Sequence, residues 1–255
     1  MNLLFWNLKG NEIKSYIEGC LSENNIDIAI FAEHTGVDFS KIDGYQFIEG
    51  MGGCEKIVIV AKKNVTVNIK QEQSRYVLYH IIFQNNEYIL TGLHLHDRRN
   101  TDAATRIAYI GRLVNDICNM ERKLKCKNTI IIGDFNANPF DDELLQMNSF
   151  NAVLFKEVIR KSETKKVDEI TYRRFYNPTV HFISECTQNY GSFYLSSGST
   201  SLVWHCLDQV LLVKALIDNI VSMKYLKSIG GKSLLKIIKP NADISDHLPL
   251  VVELI

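Results

Sequence analysis

The sequence predicts an α/β protein of the α+β type, in which helices cover two stacked, mixed β-sheets. Three observations carry that expectation. Short runs such as Ile28–Ala32 and Ile130–Ile132 are apolar on both faces, as strands in the middle of a sheet are. Residues 45–96 divide into strand-length runs separated by Gly, Asn and Lys-Asn breaks, the mark of an antiparallel meander. Amphipathic helical patterns flank this block without regular strand–helix alternation, which argues against a doubly wound parallel sheet.

Residues 3–8 read as the first strand. Asn11 is placed to cap a helix whose apolar positions Ile13, Tyr16, Ile17, Cys20 and Leu21 follow helical spacing. Residues 28–32 form the next strand, with Glu33 at its exit. Strands are expected at 45–49, 55–62, 65–71, 75–84 and 87–96. Asn100-Thr101-Asp102 can cap the longest helix, whose stripe Ala103, Ile107, Ile110, Val114, Ile117 and Leu124 faces a sheet while Arg106, Arg112 and Arg122 face out. A strand at 129–133 follows. Residues 140–200 carry a short helix near Asp142–Met147, a Lys-rich loop and an aromatic segment; strands resume at 203–213, 221–227 and 249–254.

At 255 residues the chain supports one substantial core, and no Pro/Gly/Ser linker or internal repeat divides it, so residues 1–255 are expected to be a single domain. Apolar content of 46% with 23% charged residues is that of an ordinary globular protein, and no run approaches the roughly 18 apolar residues of a membrane helix. The start Met1-Asn2-Leu3-Leu4-Phe5-Trp6 has no basic leader or cleavage site. Cys20, Cys54, Cys118, Cys126, Cys186 and Cys206 are scattered without a C-x-x-C pair, which suits free thiols and a cytoplasmic monomer. Net charge is zero, but residues 1–50 carry eight acids against Lys9, Lys14 and Lys41, and residues 214–239 carry six lysines against Asp218. The second patch could follow a phosphate backbone.

Polar groups recur where these apolar strands end. Gly133-Asp134-Phe135-Asn136-Ala137-Asn138-Pro139 follows Ile130-Ile131-Ile132. Asn7, Glu33 and Ser245-Asp246-His247 occupy equivalent places, and Asp208 sits inside the run Leu207–Leu212. Acids at such positions cost stability unless they meet a cation or one another, so the recurrence points to one shared site holding a hard metal. Taken one at a time, each is better explained by a turn, a cap or a structural ion pair.

Together, Asn7, Glu33, the GDFNANP run, Leu207-Asp208 and Ser245-Asp246-His247-Leu248-Pro249-Leu250 resemble the endonuclease/exonuclease/phosphatase superfamily with its DNase I-like fold. The resemblance spans residues 3–254. It implies a four-layer αββα sandwich and a metal-dependent phosphoester hydrolase using Mg²⁺ or Mn²⁺. Glu33 would be the main metal ligand, with Asn7 and Asp246 in or beside the metal shell. His247 would pair with Asp208, which fixes its tautomer. Asp134 would orient or deprotonate the attacking water and Asn136 would donate to a phosphate oxygen; whether His247 or Asp134 takes the proton stays open. His94, at the end of the strand Ile89–His96, fits a phosphate ligand, with His96 one step nearer the mouth. Lys9 suits phosphate contact as a point charge.

The chain departs from the family pattern in two places: Ala32-Glu33 stands where Gln-Glu is usual, and Gln209 replaces a common aromatic. The implied activity is hydrolysis of phosphodiesters, most naturally as a nuclease on DNA or RNA; the alternative is a phosphatase or phosphodiesterase of small or lipid-derived phosphoesters. Aromatics and arginines at Thr171–Pro178 and Tyr190–Tyr194 could stack on bases or fill the core under a long connection. Trp204 reads as packing.

Overall fold

The computed structural model describes residues 1–11, 13–185, 190–197 and 201–255. In chain order the first sheet strands are β1 (Asn2–Asn7), β2 (Ile28–Ala32), β3 (Tyr45–Ile48), β4 (Ile57–Lys62), β5 (Thr66–Gln73), β6 (Tyr76–Phe83), β7 (Asn86–His94) and β8 (Thr129–Asp134). They are followed by β9 (Ala152–Val153), β10 (Phe175–Tyr176), β11 (Asp208–Leu212), β12 (Ile220–Tyr225) and β13 (Leu250–Leu254). One sheet has the order β12-β13-β1-β2-β4-β3 and the other β5-β6-β7-β8-β11-β10-β9.

Each sheet is built on one parallel pair bridged by an amphipathic helix. β1 and β2 are joined through α1 (Lys14–Glu23), which buries Ile17, Cys20 and Leu21. β7 and β8 are joined through α2 (Ala103–Leu124). The other sheet neighbours pair antiparallel, except the two-residue β9–β10 contact. The sheets meet face to face. At Gly92 of β7 an added Cβ would lie 3.1 Å from Ile30 Cδ1 of β2 and 3.4 Å from Ile57 Cγ2 of β4, so glycine sets how closely they approach. A single cluster of buried side chains runs from Leu3 through Ile30, Leu90 and Ile131 to Leu254.

The expected strands and the two main helices are present, with several differences. The meander is divided between sheets, because β4 pairs in one sheet and β5 in the other. Asn11 does not cap α1; its amide donates to the Ala242 and Ile244 carbonyls and ties the chain start to the loop before β13. On α2, Asp102 does cap, accepting from Thr105 N at 2.9 Å. Arg106 turns inward instead of out, while Ala103 is exposed. The buried residues are Arg106, Ile107, Ile110, Leu113, Ile117, Met120 and Glu121, and the guanidinium is accommodated because it pairs with buried Glu143. The run 203–213 is broken: Trp204–His205 pairs with Phe193–Tyr194 as a separate ribbon, and only Asp208–Leu212 enters the sheet.

The Lys-rich stretch forms a hairpin, Thr164–Val167 with Ile170–Arg173. Phe175 and Tyr176 are buried in β10 and Arg173 pairs with Glu121, so this part of the aromatic segment is core. Cys186 lies outside the described residues; the other five cysteines are free. Among the described residues no helix is long and apolar enough to cross a membrane.

Candidate active site

Topology alone brings the distant motifs together. β1 and β2 are parallel, so Asn7 and the residue after Ala32, Glu33, leave the sheet at the same end. In the second sheet His94 and Asp134 are register partners at the exits of β7 and β8. β11 runs antiparallel to β8 and begins with Asp208 opposite Asp134. β13 is antiparallel to β1 with Leu250 opposite Phe5, which puts Ser245-Asp246-His247 just beyond the end of β1.

Local bonds set each side chain. Ser245 Oγ donates to the Asn7 carbonyl at 2.7 Å and accepts from His247 N at 3.0 Å, while Trp6 Nε1 donates to the His247 carbonyl at 3.0 Å. Asp208 N donates to buried Ser192 Oγ at 3.1 Å, and Tyr225 OH donates to the Asp208 carbonyl at 2.7 Å. Lys9, Glu33 and Asn136 adopt left-handed backbone with φ of 52°, 49° and 47°, a cost repaid by turning polar side chains back over the strand ends. Gly133 is required by packing. A Cβ there would fall 2.0 Å from the Leu93 carbonyl oxygen of β7.

The side chains converge. Asn7 Nδ2 lies 3.3 Å from Glu33 Oε1 and 3.2 Å from Asp134 Oδ2, bridging the two carboxylates; its Oδ1 accepts from Lys9 N at 3.0 Å. His94 Nε2 is 3.4 Å from Glu33 Oε1 and 3.8 Å from Asp134 Oδ2. His247 Nδ1 is 2.8 Å from Asp208 Oδ2, and its Nε2 is 4.0 Å from Asp134 Oδ2. Asn136 N donates to Asp134 Oδ1 at 2.8 Å, and the Asn136 amide donates to the Leu95 carbonyl at 2.9 Å. Asp246 turns to the mouth, where Lys9 Nζ meets Oδ2 at 3.0 Å.

His96 is not brought in. β7 ends at His94, so the strand expected to run on to His96 stops short, and the His96 ring instead packs edge-on against Tyr109 of α2, centroids 4.9 Å apart. Gln209 replaces an aromatic by filling the core with hydrogen bonds, donating to the Ala137 carbonyl at 2.6 Å and accepting from Asn177 Nδ2 at 2.7 Å. Sequence reasoning missed Asn138, Ser192 and Phe193. Asn138 Oδ1 accepts from Cys206 N at 3.0 Å and holds the entry to β11; its place within GDFNANP was the available signal. Phe193 packs its ring 5.0 Å from that of His247; its aromatic segment stood out in the sequence, but not its contact with His247.

Electrostatics distinguish the groups. Burial pushes the Asp134 carboxyl up, and the neighbouring Asp208 adds to this against His247 and His94. Burial also pushes His94 down, over the opposing pull of Asp134 and Glu33, so it is neutral at pH 7. For His247 burial opposes charge, but Asp208, Asp134 and Asp246 outweigh it and raise its pKa to about 10.

The donor set fits a hard divalent cation. Glu33 and Asp134 approach one another with only the Asn7 amide and the neutral His94 imidazole between them, and among the described residues Asp208 Oδ1 is buried without a hydrogen-bond partner. Asp134, Asp208 and His247 also offer three donor atoms within 4.8 Å of one another. The short bond at His247 Nδ1 makes Asp208–His247 a dyad first, leaving Glu33 as the carboxylate open at the mouth.

No family model matches the chain, and no curated protein matches it in sequence. Solved structures do match in shape. D. rerio TDP2 complexed with a single-strand DNA product superposes with a TM-score of 0.59 at 13% identity, covering 99% of this chain and 97% of that one. The endonuclease domain of TRAS1, a telomere-specific non-LTR retrotransposon, gives 0.57 at 13%, with 99% and 97% covered. An endonuclease/exonuclease/phosphatase family protein from Bacteroides thetaiotaomicron gives 0.58 at 14%, with 100% and 97% covered. The chain therefore has the α/β sandwich of the endonuclease/exonuclease/phosphatase proteins, the DNase I-like fold.

Proposed function

We propose that this protein is a metal-dependent phosphodiester hydrolase acting on nucleic acid. The observation that carries the reading is the meeting of Asn7, Glu33, His94, Asp134, Asp208 and His247 at one end of both sheets. Packing requirements alone do not gather three carboxylates and two imidazoles around one point.

Glu33 would hold Mg²⁺ or Mn²⁺ with Asp246 next to it, both oxygen donors of the kind such ions prefer, and Asn7 would join through Oδ1 once its amide, whose Nδ2 faces Glu33, turns over. When bound, the ion would supply Lewis-acid stabilisation of charge on the phosphate and the departing oxygen. Asp134 is the better candidate for accepting the proton of the attacking water: burial has raised its basicity, and Asn136 N fixes the carboxylate at 2.8 Å. His247, held by Asp208 and charged at neutral pH, would pair with a non-bridging phosphate oxygen. Neutral His94 would donate one further hydrogen bond from the opposite wall, and the Asn136 amide, turned to the Leu95 carbonyl, would stiffen that wall. Lys9, bound to Asp246, would meet an adjoining phosphate at the mouth. His96, against Tyr109, would contribute only if substrate extends toward α2.

Nucleic acid is preferred over small or lipid-derived phosphoesters for two reasons. Residues 214–239 carry six lysines against one acid, a charge balance that suits a polyanion. The fold is also shared with a TDP2 structure holding a DNA product and with a retrotransposon endonuclease. The test is a panel of single-stranded DNA, duplex DNA, RNA, inositol phosphates and sphingomyelin, each with Mg²⁺ or Mn²⁺ and with EDTA. Metal-dependent cleavage of a nucleic acid is the expected outcome; turnover confined to the small esters overturns the substrate, and no turnover on any overturns the activity.

A further inference from the structure

Two consecutive hairpins lie between β12 and the Ser245-Asp246-His247 motif, and their turns are built from opposite materials. The first, Ser228–Ile229 with Lys232–Ser233, turns through Gly230 and Gly231 at φ of 59° and 70°, as a left-handed turn favours. The second, Leu235–Lys236 with Lys239–Pro240, turns through Ile237 and Ile238, and Ile237 stands at φ 65°. A β-branched residue there is a backbone outlier that costs free energy. Among the described residues nothing packs on this turn to recover that cost, since Ile237 is 91% and Ile238 62% exposed. Two aliphatic side chains are held in water on a strained apex, with Lys236 and Lys239 paired directly beneath them.

The apex is tied to the candidate active site. Strand Lys239–Pro240 packs against Phe193–Tyr194, and the Phe193 ring lies 5.0 Å from that of His247. Tyr190 and Trp204 continue the same rim, with Lys227 Nζ 3.9 Å from the centre of the half-exposed Tyr190 ring. The base of the hairpin is thus joined to the catalytic groups through Phe193, and a chain-like ligand running from those groups along this rim would reach the isoleucines. Such a ligand is also anionic, given Lys224, Lys227, Lys236 and Lys239 along the path from the sheet edge to the apex.

We propose that Ile237 and Ile238 form a wedge that enters a base step beside the scissile phosphate, with Lys236 and Lys239 on the flanking phosphates. Aliphatic side chains are used in this way to unstack neighbouring bases, the backbone charges holding the strand in place. A lipid surface is the poorer occupant. A myristoyl chain carries more buried methylene area than two isoleucines and by itself gives only marginal membrane binding. The inference rests on the nucleic-acid reading above.

The test is the double substitution Ile237→Gly, Ile238→Ser, which relieves the strained turn and leaves the catalytic groups untouched. Binding is read in EDTA with single-stranded and duplex DNA carrying 2-aminopurine, and chemistry with a small activated phosphodiester plus Mg²⁺. The wedge predicts a rise in 2-aminopurine fluorescence with the wild type that the variant loses, about tenfold weaker DNA binding, and unchanged turnover of the small ester. Equal binding and equal fluorescence by the two proteins overturn it. So does loss of binding to phosphatidylserine vesicles with DNA binding intact, which would assign the apex to a lipid surface. A wild type that cleaves DNA while the variant matches it refutes the wedge alone; a wild type that neither binds nor cleaves nucleic acid refutes the substrate class as well.

Discussion

Asp134 concentrates the chemistry of the proposed site in one side chain: it is fully buried, its carboxyl is pushed up by burial, and it touches Asn7, His94, His247 and the Asn136 backbone. Asp134→Ala is expected to reduce turnover at least about a hundredfold; a near-wild-type rate would remove it from the mechanism. His247 offers a direct measurement. Its pKa of about 10 means the imidazolium persists through pH 7, and in metal-free protein its NMR titration should lie far above that of a free imidazole. Because the folded pKa is raised, the stabilisation it provides is complete below about pH 6.5 and is lost as pH rises toward 10. Asp208→Asn should bring the titration down and flatten that part of the pH–stability curve. An unchanged titration would mean that Asp208 does not hold the charge.

At the scale of elements, two contacts decide whether the frame holds. The β7–β8 pair closes only because Gly133 has no side chain against the Leu93 carbonyl. Gly133→Ala must separate the strands that present His94 and Asp134, and it should cost about 3 kcal/mol or more in denaturant unfolding. Helix α2 is anchored by the buried ion pair of Arg106, 6% exposed, with Glu143, 4% exposed. Replacing Glu143 by Gln leaves a buried guanidinium without its counter-charge, and about 3–5 kcal/mol of destabilisation is expected. A loss below about 1 kcal/mol would show that the Asp141, Asp97 and Asp102 carboxylates around the guanidinium suffice.

For the whole molecule, charge and shape act together. The end of the sheets that carries the proposed site gathers buried acids, while Lys224, Lys227, Lys236 and Lys239 lie along the chain from edge strand β12 toward the Ser245-Asp246-His247 motif. Nucleic-acid binding should therefore weaken steeply with salt, and the slope of log affinity against log salt should shrink by roughly one for each phosphate-contacting lysine removed. Lys236→Ala with Lys239→Ala is the variant that tests this; an unchanged slope would place the polyanion elsewhere.

Much was legible in the chain itself. The apolar runs at β2 and β8, the helical stripe of α2 and the polar motifs at strand ends all reflect local requirements, namely two-sided burial, helical spacing and the cost of placing acids beside a core. Those requirements act over a few residues, so the sequence by itself determined the elements and the residue types at their ends. Local pattern could not assign β4 and β5 to different sheets, turn Arg106 inward toward Glu143, stop β7 before His96, or bring Phe193 beside His247. These depend on partners distant in the chain, and only the stacking of the two sheets decided them. The same stacking carried Glu33, Asp134, Asp208 and His247 to one end, because parallel strands leave a sheet where their antiparallel neighbours enter it.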